Sequence, residues 1–223
     1  MFDGYGRSKI DFAKRGITMI AVIDYGVGNL FSIKSSFARV GADVVITSDK
    51  NVIKNADKIM LPGVGAYEAA ANRLRETGMA DLLREEAAKG KYLMGICLGM
   101  QLVFEKSYEY GEHEGLGILK GEIVPMKGYV DKHLKVPHIG WNALHLHRDS
   151  KLLRYYKEGD FVYFVHSYFA TNCKDSVIAT TEYSRPITAA VEKDNVMGCQ
   201  FHPEKSGNVG LKILKAFSEL GDN

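Results

Sequence analysis

The chain has 223 residues, of which 46% are apolar, 25% charged and 10% aromatic, a composition that suits a globular protein with one substantial core. Lys and Arg total 29 against 27 Asp and Glu, a net charge of +2 with no basic stripe or single-sign block, so neither nucleic acid nor a membrane surface is the expected partner. Apolar runs of about seven residues fall far short of the roughly 20 that span a bilayer, and three cysteines without paired spacing (Cys97, Cys173, Cys199) fit a reduced, cytoplasmic chain rather than a disulfide framework.

Residues 1–18 show no sustained periodicity, and Asp3 and Asp11 interrupt their basic residues, which is not the pattern of a secretory signal. They are expected to be an extension ahead of a natural start at Met19, with one domain over 19–223. Residues 20–24 form a buried-strand pattern, followed by a tight turn at 25–29. A helix is expected over 30–40, with Leu30, Ile33, Phe37 and Val40 on one face and Gly41 ending it. Strands are expected at 43–47 and 58–61. One or two helices follow over 67–89, broken near Gly78 and capped at Gly90. A strand at 92–96 then runs into Cys97 and a helix from 98 to about 105. Alternating strands and helices imply an α/β fold with a mostly parallel central sheet flanked by helices.

Beyond Gly115 the texture changes. Strand patterns at 118–126, 136–146, 161–170, 177–182, 187–192 and 196–201 predict antiparallel additions in the C-terminal half. An amphipathic helix over 207–220 closes the chain. No repeat, low-complexity tract or linker divides it.

The chemistry concentrates at Cys97. An apolar strand meets a helix there, with Gly95 two residues before and Gly99 two residues after. This is the cysteine form of the nucleophile elbow, in which a sharp strand-to-helix turn projects the reactive side chain. A helix N-terminus also favours the thiolate. Taken alone, the segment fits a small buried cysteine between packing glycines equally well. The second segment is Gln200-Phe-His202-Pro-Glu204. Pro203 biases His202 toward extended backbone, and in an extended chain residues i and i+2 share a side. Cys97, His202 and Glu204 would then supply nucleophile, base and orienter. Donors for an oxyanion are expected from the Leu61-Pro-Gly-Val64-Gly65 turn at a strand end and from the Leu98 N–H.

Taken together these stretches resemble the class I (triad-type) glutamine amidotransferases, and within them the HisH family, the glutaminase subunits of imidazole glycerol phosphate synthase. The resemblance rests on IDYGVGN at 23–29, LPGVGAY at 61–67, GICLGMQ at 95–101, PHIGWN at 137–142, YFVHSY at 163–168 and QFHPEKS at 200–206. It covers the chain from residue 20 to the last helix and leaves residues 1–18 outside. It implies the single-domain class I amidotransferase fold and attack of Cys97 on the side-chain amide of glutamine. His202 would serve as the proton carrier, and Gln101, Ser167 and Tyr168 as substrate holders. It also implies a HisF-type (β/α)8-barrel synthase as partner in a heterodimer, faced by Tyr25, Asn29 and Lys205. Paralogues that deliver ammonia to surface-sugar amidination share this glutaminase half.

Other readings are weaker. The Gly26-x-Gly28 turn has Phe31 where a dinucleotide fingerprint needs its third glycine. Four of the seven histidines (His133, His138, His145, His147) crowd into a short stretch, but in no zinc spacing. No metal or cofactor is therefore expected. Trp141 is expected in the core or on the floor of the site, His166 as a structural or substrate-proximal residue, and Cys199 packed within its strand.

Overall fold

The computed structural model describes residues 18–221, so the expectation for the N-terminal extension lies almost wholly outside the described residues. In chain order the first half comprises β1 (Ile20–Ile23), α1 (Leu30–Arg39), β2 (Val44–Thr47), α2 (Lys50–Asn55), β3 (Lys58–Leu61), α3 (Tyr67–Glu76), α4 (Met79–Ala88), β4 (Tyr92–Ile96) and α5 (Leu98–Leu102). The second half begins with β5 (Lys106–Ser107), β6 (His113–Glu114), β7 (Glu122–Pro125), β8 (His138–Ala143) and β9 (His145–Leu146). Strands β10 (Phe161–His166), β11 (Tyr168–Thr171), β12 (Val177–Glu182), β13 (Pro186–Lys193) and β14 (Val196–Cys199) follow, and a 3₁₀ turn (Pro203–Lys205) leads into α6 (Gly207–Ser218).

Among the described residues the main sheet has eight strands in the order β2-β1-β3-β4-β14-β13-β12-β9. From β2 to β14 the pairing is parallel, and from β14 outward it is antiparallel. β14 is the hinge between the two halves, parallel to β4 on one side and antiparallel to β13 on the other. All four residues of β1 are buried because both sheet faces are covered. Ile20 and Val22 pack with Ile33 and Phe37 of α1 and Leu214 and Phe217 of α6. The alternate residues Ala21 and Ile23 pack with Ile53, Leu74 and Leu83 of α2, α3 and α4. No helix among the described residues is long and apolar enough to cross a membrane.

The local signals work as the sequence suggests at most boundaries. Asn29 caps α1, its side chain accepting from Ser32 N at 3.3 Å. Gly78, at φ 63°, makes the expected break between α3 and α4. Asp49 caps the short α2, which periodicity alone does not reveal. α5 stops at Leu102 instead of running to about residue 105. The carbonyls that would continue it are taken by the returning chain: Leu116, Gly117 and Ile118 donate to those of Leu102, Phe104 and Val103.

Two long strand patterns each turn out to serve two sheets. The run at 136–146 divides at Leu144, so β8 pairs with β10 in a two-stranded ribbon while β9 joins β12 at the edge of the main sheet. The run at 161–170 divides at Ser167, sending β10 to the ribbon and β11 to a small sheet of order β11-β7-β5-β6. Ser167 thereby sits at a kink between sheets, its carbonyl accepting from Met126 N at 2.9 Å.

Candidate active site

Cys97 follows β4 and opens α5 at φ 54°, ψ −112°. Such a conformation costs a non-glycine residue on the order of 1–3 kcal/mol and persists only where the surroundings fix it. Here its N–H donates to Cys199 O on β14 at 2.7 Å, and its carbonyl accepts from Gln101 N at 3.1 Å. The flanking glycines are a packing requirement. A Cβ on Gly99 would lie 2.0 Å from Leu61 O, and one on Gly95 would lie 2.5 Å from Gly99 O. Only bare backbone lets the elbow press against the end of β3. Because α5 spans five residues, it offers the sulfur the free N–H groups of a first turn rather than the dipole of a long helix.

His202 and Glu204 meet, but not along an extended chain. His202 is extended (φ −100°, ψ 96°), and Pro203–Lys205 then form the 3₁₀ turn. That turn folds Glu204 back onto the imidazole, with Glu204 Oε1 2.7 Å from His202 Nδ1. The two side chains are 1% and 3% exposed. The turn is held from below: His202 N–H donates to Tyr163 O at 2.9 Å. Ser206 Oγ donates to His202 O at 2.6 Å and accepts from Tyr163 N at 2.9 Å. Burial alone would lower the His202 pKa, but hydrogen bonds to Cys97 and Glu204, with their charges, outweigh it and raise it to about 9. With Nδ1 committed to Glu204, Nε2 is left to take the sulfur's proton. Glu204 Oε2 is buried with no partner among the described residues.

A cavity of about 720 Å³ opens over the sulfur, and its wall brings together Val64, Gly65, Cys97, Leu98, Gln101, Ser167, Tyr168, His202 and Lys205. Glu204 stands behind His202, off the wall. Gly65 has φ 93° and Val64 is 38% exposed, so the turn after β3 presents its backbone at the cavity edge. Gln101 is buried, and its Nε2 donates to Tyr168 O at 3.2 Å.

The loop after β1 departs from expectation. Tyr25 is not available to a partner: its side chain is buried, and its hydroxyl donates to Pro62 O at 2.8 Å. Asn29 is half-buried and occupied as the α1 cap, whereas Lys205 is exposed at the cavity. The loop braces the turn before Val64 and Gly65 from the β1 side. Burial, and then the neighbouring Cys97 charge, raise the Tyr25 pKa, so it remains a phenol donor.

Trp141 also differs. It is 51% exposed, edge-on to Tyr163 at 5.8 Å, and Ile139 two residues earlier is 59% exposed. The β8–β10 ribbon leaves the main sheet, so one of its faces is uncovered. His166 lines the cavity. Burial holds its pKa well below the ordinary value, and its ring lies 3.0 Å from His138 Nδ1 and 2.9 Å from Tyr168 O. Cys199 is fully buried in β14. Val165, Glu109, Tyr110, Pro125, Lys127, Val136 and Pro137 complete the wall. Apart from Pro137, which opens the PHIGWN stretch, and Val165, which lies within YFVHSY, they come from loops and short strands with no motif of their own, so no sequence signal marks them. Among the described residues no three His, Cys, Asp or Glu side chains are grouped to hold a metal ion.

Comparison with known proteins agrees with this geometry. The family model described as glutamine amidotransferase class-I matches residues 21–219. The protein named imidazole glycerol phosphate synthase subunit HisH from Caldanaerobacter subterraneus subsp. tengcongensis is 52% identical over 203 residues, covering 91% of this chain and 98% of that one. Its namesake from Lactococcus lactis subsp. lactis is 50% identical over 201 residues, covering 90% and 98%. In fold, the structure of PurLQS from Thermotoga maritima superposes with a TM-score of 0.70 at 21% identity over 90% of this chain and 97% of that one. A family match over nearly the whole described domain, with half the residues shared along the length of the HisH proteins, means that the chain belongs to the class I glutamine amidotransferases, in their HisH family.

Proposed function

We propose that the chain is a cytoplasmic glutaminase that hydrolyses glutamine to glutamate and ammonia through a Cys97 thioester. It hands the ammonia to a HisF-type (β/α)8-barrel synthase, which makes imidazole glycerol phosphate and AICAR in histidine biosynthesis. One observation carries the reading: a cysteine held on a strained elbow and an imidazole line one cavity, with a buried carboxylate 2.7 Å behind that imidazole.

In this reading Cys97 and His202 share one proton, carried on the imidazole while the sulfur attacks the side-chain amide carbon of glutamine. The developing oxyanion is met by backbone N–H groups of Leu98 and of the Val64–Gly65 turn. Collapse breaks the C–N bond while His202 returns its proton to the departing ammonia. Water then adds to the thioester, giving its proton to His202, and glutamate leaves as the thiol is restored. Glu204 holds Nδ1 throughout, so Nε2 always faces the reacting atoms. Gln101, Ser167 and Tyr168 hold the substrate.

Ammonia released into neutral water becomes ammonium, which is not a nucleophile, so a protected route to the partner avoids that loss. In this reading Lys205, not the buried Tyr25, faces the partner, and the exposed Ile139 and Trp141 give it apolar area to bury. A glutaminase working alone would waste glutamine. The isolated chain is therefore expected to turn over slowly and to be strongly stimulated when synthase and its nucleotide ligand bind. The test is glutamate release with and without the barrel subunit, alongside Cys97→Ala. That variant should lose glutamine-dependent turnover by on the order of 10⁴-fold or more, while the ammonia-dependent synthase reaction continues. Retained glutamine turnover in Cys97→Ala would refute the thioester route, and full turnover without a partner would refute the coupling.

A further inference from the structure

The register that fixes the elbow brings another polar side chain to the sulfur. β14 runs parallel to β4 with Cys199 opposite Ile96, so Gln200 comes to lie beside Cys97. Gln200 is fully buried, and its main-chain N–H is used by Ala189 O at 2.8 Å. A side-chain amide so buried must find partners within the protein. It has two: Oε1 accepts from Gln101 Nε2 at 2.9 Å, and Nε2 donates to Cys97 Sγ at 3.8 Å.

Which end faces the sulfur is dictated from the far end of the chain of bonds. Tyr168 O can only accept, so Gln101 must turn Nε2 toward it. The second hydrogen of that nitrogen points to Gln200, which must answer with Oε1. Gln200 then has only N–H to offer Cys97. Reversing either amide would set donor against donor or acceptor against acceptor in a buried site. The same ordering leaves Gln101 with its Oε1 free of this chain, on the cavity wall.

We propose that Gln200 is a catalytic residue of this site: its amide donates to the Cys97 sulfur as its proton passes to His202 and, through Gln101, keeps an acceptor oxygen turned toward the ligand. The proposal rests on the reading of Cys97 as nucleophile. An N–H aimed at sulfur favours the anionic form, which is the reactive one; it opposes Val165 O, which accepts from the thiol at 4.0 Å, and the proton the sulfur gives up goes to His202. The acceptor presented by Gln101 favours ligands that offer N–H at that point, as an amino acid does. Sequence inspection passes over Gln200 because nothing local ties it to Cys97.

The test is alkylation of the full chain by uncharged iodoacetamide, with Cys97→Ala as the background from the buried Cys173 and Cys199. Gln200→Glu keeps the shape and replaces the donor with a carboxylate. It should slow alkylation at pH 7 at least tenfold and move the rise of rate with pH upward by about one unit or more. Gln200→Met removes the donor without adding charge and should slow alkylation several-fold. Both should raise the KM for glutamine in the partner-bound enzyme. A merely structural role would lower thermal stability and leave the pH profile of alkylation where it was. Wild-type alkylation profiles in folded variants would overturn the proposal. If neither variant folds, the wild-type chain decides: the Gln200 side-chain amide resonance should move when Cys97 is alkylated, and an unmoved resonance overturns the assignment. Because alkylation needs no glutamine, loss of the Gln200 effect and absence of glutaminase activity are separate outcomes.

Discussion

Glu204→Gln isolates the carboxylate that orients His202. The carboxylate accepts from Nδ1 at 2.7 Å, its side chain is 1% exposed, and its second oxygen is buried without a partner among the described residues. Replacing a charge-assisted hydrogen bond with a neutral one costs about 1–2 kcal/mol. The new amide nitrogen falls where Oε2 stood, with no acceptor for its hydrogens, which adds about 1–3 kcal/mol. Stability should therefore fall by about 2–5 kcal/mol in urea unfolding at pH 7. The amide also relieves that defect by flipping, which presents N–H to Nδ1 and moves the imidazole proton to Nε2, where it cannot accept from Cys97. The corresponding change in serine triads costs about 10⁴ in rate, so partner-stimulated glutamate release should drop by about 10²–10⁴, less than in Cys97→Ala. In an NMR titration the His202 pKa should fall from about 9 toward the ordinary value of 6.5. A rate within threefold of wild type, with an unshifted His202 titration, would refute the assignment of Glu204 as orienter.

Two other perturbations follow from the same geometry. Gly99→Ala sets a methyl 2.0 Å from Leu61 O, so the end of β3 or the elbow must move. Overpacking of this kind costs about 1–3 kcal/mol or more, and glutamine-dependent turnover should fall with it; a stably folded variant at wild-type turnover would contradict the packing argument. Because the folded pKa of His202 is raised from 6.5 to about 9, its contribution to stability is fully present below pH 6.5 and is lost as pH rises through about 9. The loss is at most about 3 kcal/mol. Urea unfolding between pH 6 and 9.5 should show it in the wild type and less of it in Cys97→Ala, which removes the larger of the two groups that raise the imidazole. Equal slopes in the two proteins would exclude a His202–Cys97 linkage.

The alternating strands and helices of the first half, and the elbow with its two glycines, are legible in the sequence because each depends on contiguous residues. The break at Gly78 is local for the same reason, whereas the capping role of Asn29 appears only in the structure. His202 and Glu204 are adjacent enough to be paired by eye, although the pairing is made by a 3₁₀ turn and not by strand alternation. The two divided runs defeat a linear reading: a strand pattern records which residues alternate, and nothing in it says which sheet will supply the hydrogen bonds. The outward Trp141 and the inward Tyr25 follow from that limit, since both are apolar enough for either place, and the ribbon and the Pro62 carbonyl decided between them.

The sequence by itself determined the residue types of the site, the sharp turn at Cys97 and the α/β class, all of which short-range sterics and periodicity set. Tertiary structure alone decided that β14 would lie beside β4. That pairing brings His202, Glu204 and Gln200 to a sulfur about a hundred residues away in the chain. The physical reason is that strand register across a parallel sheet is chosen by burial on both faces at once, a property of the assembled layers that no single segment contains.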